Sequence, residues 1–201
     1  MSKNKFVLLI LLIVFLGVES YAQCYMGRRG SSKFSVELGG GIPILITPDN
    51  KTKIFDNYKA ELGLRFLPRD GVLGVRGYYS FASLSKGDLE VHRFELHGIY
   101  MLDGLLDIPY NSILEIETYV GLGAAFGSPS SSSNSNKMIA TTVGIRPRIL
   151  IYNNRLHVYL DTSYGMLFNQ KYDYAGNYIP NSSRTSSGSI LHLSVGLSYR
   201  L

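Results

Sequence analysis

The sequence predicts an all-β protein, an eight-stranded antiparallel up-and-down transmembrane β-barrel. Three observations carry that reading. Apolar residues recur at every second position in eight separate segments, most cleanly across residues 191–201. The connections between segments alternate between tight turns and longer loops. An export leader comes first, and no other stretch is apolar for the roughly 20 residues that a membrane-spanning helix needs.

The leader occupies residues 1–22. Lys3 and Lys5 precede a nearly unbroken apolar run over 6–16. Small and polar residues follow, with Ser20 and Ala22 placed for cleavage before Gln23. The apolar run itself is too short to span a bilayer, so residues 23–201 are expected to form one exported domain. Cys24 lies just past the cut, but a lipoprotein signal wants a small residue immediately before the modified cysteine, and Gln23 stands there. With a single Cys the chain makes no internal disulfide and no cysteine-based metal cluster.

The eight strands are expected at about 33–43, 57–67, 72–83, 91–102, 114–126, 138–149, 156–167 and 189–201. Each is near the 9–11 residues that a tilted strand needs to cross a bilayer. Their two faces differ sharply. In the second segment Tyr58, Ala60, Leu62, Leu64 and Phe66 oppose Lys59, Glu61, Gly63 and Arg65. In the fifth, Leu114, Ile116, Val120, Leu122 and Phe126 oppose Glu115, Glu117, Tyr119, Gly121 and Gly123. Ile139, Val143, Ile145 and Ile149 of the sixth oppose Thr142, Gly144, Arg146 and Arg148. The seventh sets Leu156, Val158 and Leu160 against His157, Tyr159 and Asp161. The eighth alternates Leu191, Leu193, Val195, Leu197, Tyr199 and Leu201 with His192, Ser194, Gly196, Ser198 and Arg200.

Short turns fall at Pro68-Arg69-Asp70-Gly71 and at Asn153-Asn154, where the residues suit tight reversal. The link over 103–113 is somewhat longer. The remaining connections pass through Pro48-Asp49-Asn50, Ser85-Lys86-Gly87-Asp88, a Ser/Asn tract over 128–136 read as a mobile surface loop, and a Tyr- and Ser-rich stretch over 169–188. Three of these four are long. Short periplasmic turns opposite longer extracellular loops are the pattern of bacterial outer-membrane barrels, and an even strand count puts both termini in the periplasm.

The polar faces collect Glu37, Glu61, Glu95, Glu115, Glu117 and Asp161 with Lys59, Arg65, Arg76, Arg93, Arg146, Arg148 and Arg200. A secreted β-sandwich, the alternative fold, would put these charges in water and cover the apolar faces with a second sheet. A small barrel would enclose them as paired charges, and the near balance of sign meets that requirement. The large charged side chains argue against a water-filled pore. The chain carries +5 in full and +4 without residues 1–22. Its basic residues are scattered singly, so no direct nucleic-acid binding is expected.

Candidate chemistry is sparse. His192 and Ser194 form an H-x-S pair like that of a lipid A deacylase barrel, but the alternation points both into the lumen, away from lipid. Glu115 and Glu117 read as salt-bridge partners on an Arg-rich face, not as a catalytic carboxylate pair. His92, His97, His157 and His192 lack metal-ligand spacing, so no metal or cofactor is expected. The glycines over 121–127 relieve crowding inside a strand; no helix follows to make a phosphate-binding loop. Tyr172, Tyr174 and Tyr178 in the last loop are the candidate contacts for a partner, since Tyr serves interfaces well.

The C-terminal strand resembles the sorting signal of outer-membrane barrels through Ser194, Gly196, Tyr199 and a terminal hydrophobic residue, Leu201, where many bacteria have Phe. The Ala22-Gln23 junction and the barrel as a whole are similar to the small OmpA-like barrels of Bacteroidetes-type bacteria. A narrower likeness is to the TraO family of conjugative-transposon transfer proteins. It rests on Ala22-Gln23-Cys24, Met26-Gly27 and residues 36–40, then on 94–100 with Leu102 and Asp107, and on 119–127. The cysteine stands one residue earlier than in that family, and the final strand differs. The resemblances imply a non-enzymatic outer-membrane protein with a structural or interaction role. Its expected partners are outer-membrane lipid, the barrel-assembly machinery and other envelope or transfer proteins. A lipid-modifying barrel enzyme is the alternative.

Overall fold

Strict alternation turns each segment into a wall with two unlike sides, and the only way to hide both the polar side and the strand edges is closure. The computed structural model describes residues 33–46, 57–68, 71–84, 89–103, 105–108, 113–129, 136–152, 155–168 and 188–201. They form β1 (Lys33–Ile46), β2 (Tyr58–Leu67), β3 (Leu73–Leu84), β4 (Leu89–Met101), β5 (Leu114–Pro129), β6 (Asn136–Tyr152), β7 (Leu156–Phe168) and β8 (Gly188–Arg200). Every strand pairs antiparallel with its sequence neighbour, and β8 closes on β1. The expected fold class is therefore the observed one.

Register fixes the shape of the barrel. A circuit of directly paired residues leaves β1 at Val36 and passes Leu64, Gly77, Leu96, Leu122, Thr141, Met166 and Ser189. It returns to β1 at Ile46, ten residues further along the strand. That shear tilts the strands by about 40° and leaves an interior wide enough for side chains and little else.

Leu38, Leu62, Leu96, Val120, Leu122, Leu160 and Val195 stand outward, with Leu96 64% and Leu122 63% exposed. Aromatic side chains bound this aliphatic band. Phe34 and Phe66, a direct pair, and Tyr199 lie toward the turn end. Tyr58, Phe81, Phe94, Phe126 and Phe168 lie toward the loop end. An apolar band between two aromatic girdles is what a bilayer imposes on a barrel wall.

At the turn end, Gly71 N–H donates to Pro68 C=O at 3.0 Å, and Gly71 has a φ of 71° that suits glycine. The β4–β5 link is held by Asp103: its carboxylate accepts Ile116 N–H at 2.7 Å and its carbonyl accepts Ile108 N–H at 2.9 Å. Asp107 takes the left-handed conformation there, at φ 51°.

Several strands run further toward the loop end than apolar alternation predicts. β4 begins at Leu89, β5 reaches Pro129 and β6 begins at Asn136. The tract over 128–136 is thus not all loop: Ser128 and Asn136 pair with Glu90 and Gly127. The backbone ladder continues where no lipid demands an apolar face. β1 likewise runs on to Ile46 through Pro43, pairing there with β8, while its pairing with β2 stops at Gly41. A proline without an N–H is tolerated on such a one-sided stretch.

Candidate functional site

The inward positions are the candidate site, and each is aimed by strand parity. β1 contributes Glu37, β2 Lys59, Glu61 and Arg65, and β3 Arg76 and Tyr78. β4 adds Arg93, Glu95 and His97; β5 adds Glu115, Glu117 and Tyr119; β6 adds Arg146 and Arg148. Tyr159 and Asp161 come from β7, and His192, Ser194 and Arg200 from β8. All thirteen charged residues expected in the lumen face inward.

Two carboxylates anchor the half of the lumen nearer the turns. Glu37 receives Arg76 Nε at 2.8 Å, Arg146 Nη1 at 2.7 Å and Arg148 Nη1 at 2.5 Å. Glu117 receives Arg65 Nε at 3.0 Å and Arg148 Nη1 at 3.4 Å, and is also bound by Arg76. Arg65, Arg76 and Arg146 are fully buried, with no exposed surface. Arg146 also reaches Asp161 at 3.1 Å, and its guanidinium carbon lies 4.2 Å from the centre of the Tyr159 ring. Charges this deep are tolerable only because each has several partners.

A second layer follows toward the loops. Glu61 takes Lys59 Nζ at 2.7 Å and the hydroxyls of Tyr78 and Tyr159 at 2.8 and 2.9 Å. Glu95 takes Arg93 at 2.7 Å and the Thr142 hydroxyl at 2.8 Å, with His97 Nε2 at 3.1 Å. Tyr119 donates to Asp161 at 2.7 Å and stacks on His97, ring centroids 4.7 Å apart. Glu115 and Arg200 pair at 3.2 Å near the turn-end mouth and keep some exposure.

Above the polar layers lies an apolar roof: Ala82, Leu84, Leu89, Val91, Ala125, Met138, Ala140, Leu167 and Ile190, all buried. Sequence reasoning did not separate this roof from the charged faces. Its signal was present, because these residues share the inward parity of their strands at the loop end. Parity placed Tyr119 and Tyr159 on the polar faces of β5 and β7 without making them members of the network, and Tyr78 went unnamed.

The H-x-S pair sits inside this closed space. His192 Nε2 lies 2.6 Å from Arg93 Nη1, and Ser194 accepts from Lys59 Nζ at 3.2 Å. His192 and Ser194 are 1% and 6% exposed, and no carboxylate orients the imidazole among the described contacts. Glu115 and Glu117 share a face of β5 and are absorbed by different arginines. Tyr172, Tyr174 and Tyr178 lie outside the described residues.

Fold and interior together define a small, closed, eight-stranded β-barrel of the outer-membrane type. No protein-family model matches the chain. No curated protein matches it in sequence. Solved structures do match in shape. Neisserial surface protein A superimposes with a TM-score of 0.60 at 9% identity, covering 86% of this chain and 100% of that one. A major outer membrane protein from Thermus thermophilus gives 0.55 at 18% identity with the same coverage. Ail, the attachment invasion locus protein of Yersinia pestis, gives 0.51 at 14%, again over 86% and 100%. At such identities the likeness is one of fold.

Proposed function

We propose that the protein is a non-enzymatic resident of the outer membrane that acts as a structural or interaction protein. It is exported by residues 1–22, cleaved before Gln23 and inserted by the barrel-assembly machinery. The observation that supports this most is the filled interior: crossed arginine–carboxylate layers beneath an apolar roof leave side chains where a pore or substrate site would be. Work is then left to the loops, the periplasmic ends and the outer wall. Gel mobility of the membrane fraction with and without boiling tests the reading. A heat-dependent shift is expected, and partition into the soluble fraction would overturn it.

The enzyme alternative would need His192 and Ser194 at a lipid. Replacing both with Ala is expected to leave the lipid A acylation profile unchanged; an altered profile restores the alternative. A narrower reading, favoured by the short likenesses at 22–24, 94–100 and 119–127, makes the protein an outer-membrane part of a conjugative transfer apparatus that contacts other transfer proteins and not DNA. Deleting the gene should then abolish transfer while the envelope stays intact. The reverse result assigns a general envelope role instead.

A further inference from the structure

The histidines divide unevenly. His97, His157 and His192 point into the barrel, whereas His92 stands on the outer wall at the loop-end girdle. A polar ring facing hydrocarbon is costly unless something satisfies it. Its Nδ1 lies 2.9 Å from the Tyr79 hydroxyl. Aromatic rings crowd around the pair: Phe81 is 5.0 Å from His92 and Phe94 4.9 Å from Tyr79, centroid to centroid. Phe126 leans edge-on to Phe94 at 6.2 Å. In the tautomer in which the tyrosine hydroxyl donates to Nδ1, the ring carries its proton on Nε2, which is then a donor.

Register then supplies a cation. Phe81, His92, Phe126 and Lys137 are directly paired in one row across β3, β4, β5 and β6. Neighbouring strands are about 4.8 Å apart, so His92 and Lys137 flank the Phe126 ring at roughly 10 Å. Toward the membrane centre the wall becomes smooth. A Cβ at Gly77 would meet nothing within 4 Å, and one at Gly98 would meet only the Val120 carbonyl, at 4.0 Å. Gly77 pairs with Leu96 and Gly98 with Val75, which makes a shallow apolar track below the rings.

We propose that this quadrant is a binding site for a phosphate-bearing lipid of the extracellular leaflet. The His92 Nε2–H and the Lys137 ammonium take the phosphate, Phe94 and Phe126 pack the glycerol or sugar and upper acyl carbons, and one chain lies along the Gly77–Gly98 track. A charge-assisted bond at the edge of hydrocarbon is stronger than the same bond in water. Glu90, the carboxylate one turn of the pleat nearer the loops, sets the upper limit of the site by repulsion. The inference rests on the proposed outer-membrane residence and on the loop end facing outward, as the alternation of short turns and longer loops predicts.

The test uses the full mature barrel in neutral detergent, exposed to dioleoyl phosphatidic acid or dioleoyl phosphatidylcholine, with retained lipid counted by native mass spectrometry. The wild type should retain phosphatidic acid in preference. His92→Ala and Tyr79→Phe should each cut that retention about tenfold, the lower end of the weight of one hydrogen bond to a charged group. Lys137→Ala should do the same, and being exposed it keeps the test in force if His92→Ala fails to form a barrel. Tyr164→Phe, which removes another wall hydroxyl bonded to Ser189 at 2.7 Å, should change nothing. Equal retention of the two lipids by the wild type, or full retention by His92→Ala or Lys137→Ala, overturns the site. A wild-type barrel that lacks the heat-dependent gel shift would instead strike the proposed function.

Discussion

Glu37 and Glu117 are each shared by arginines from β3 and β6, so a single carboxylate ties together strands on opposite sides of the barrel. Replacing Glu37 with Gln keeps the volume and leaves Arg76, Arg146 and Arg148 facing one another. The expected loss is about 3–5 kcal/mol, the cost of stranding a buried charge, read from urea-induced unfolding in detergent. Glu115→Gln should lose less than half of that, because Glu115 and Arg200 retain contact with water at the mouth. Gly144 shows the same crowding from the steric side. A Cβ there would lie 2.6 Å from the Tyr119 hydroxyl and 2.8 Å from Ser163 Cβ, so Gly144→Ala should destabilise by about 1–3 kcal/mol in the same assay. The charged members of this network were legible in the sequence because period two assigns a charge to one side without ambiguity. Parity also put Tyr119 and Tyr159 on the polar faces, but a tyrosine suits lipid, interface and lumen alike, so the role of Tyr78, Tyr119 and Tyr159 as partners of Glu61 and Asp161 had to come from the structure. Parity beside Arg93 and Glu95 sends His92 to the outer wall; its neighbours Phe81 and Phe126 follow from register, which no local pattern reveals.

At the scale of the strand, what the sequence specifies is the part in contact with lipid. β5 alternates cleanly from Leu114 to Phe126 and then continues as ladder through Ser128, where the bilayer no longer selects residues. Strand ends above the membrane are therefore set by pairing with β4 and β6, and only the structure shows them. The wall itself predicts a depth-dependent response. Leu122, 63% exposed and mid-strand, should accept Arg at a loss of about 2–4 kcal/mol, while Leu114 at the turn-end rim should accept it for about 1 kcal/mol or less. Equilibrium folding into lipid vesicles measures both. Equal losses at the two positions would mean that β5 does not cross the bilayer. Register also protects the assignment of faces, since slipping any strand by one residue would turn its charges into lipid.

The whole molecule places two unlike barriers in series along one axis. The lower is electrostatic: the thirteen charges described above, six acids and seven bases, hold the space between the strands. The upper is apolar, with Leu84, Leu89, Val91, Met138, Leu167 and Ile190 closing the lumen under the loops. An ion that exchanged partners through the lower layer would still have to shed its water in the upper one, where the desolvation of a bare charge is of order several kcal/mol even after relaxation. Neither barrier depends on the other, because they are built from different residues at different depths. The wild-type barrel in a planar bilayer should therefore show no steady conductance. Arg146→Ala with Arg148→Ala should weaken the fold yet leave the barrel shut, because the roof is intact. Met138→Gly with Leu167→Gly should leave it shut as well, because the arginines remain. Conductance is expected only when both pairs are replaced together. Current from either pair alone would show that one layer does not seal the lumen, and current from the wild type would overturn the filled interior on which the proposed function rests.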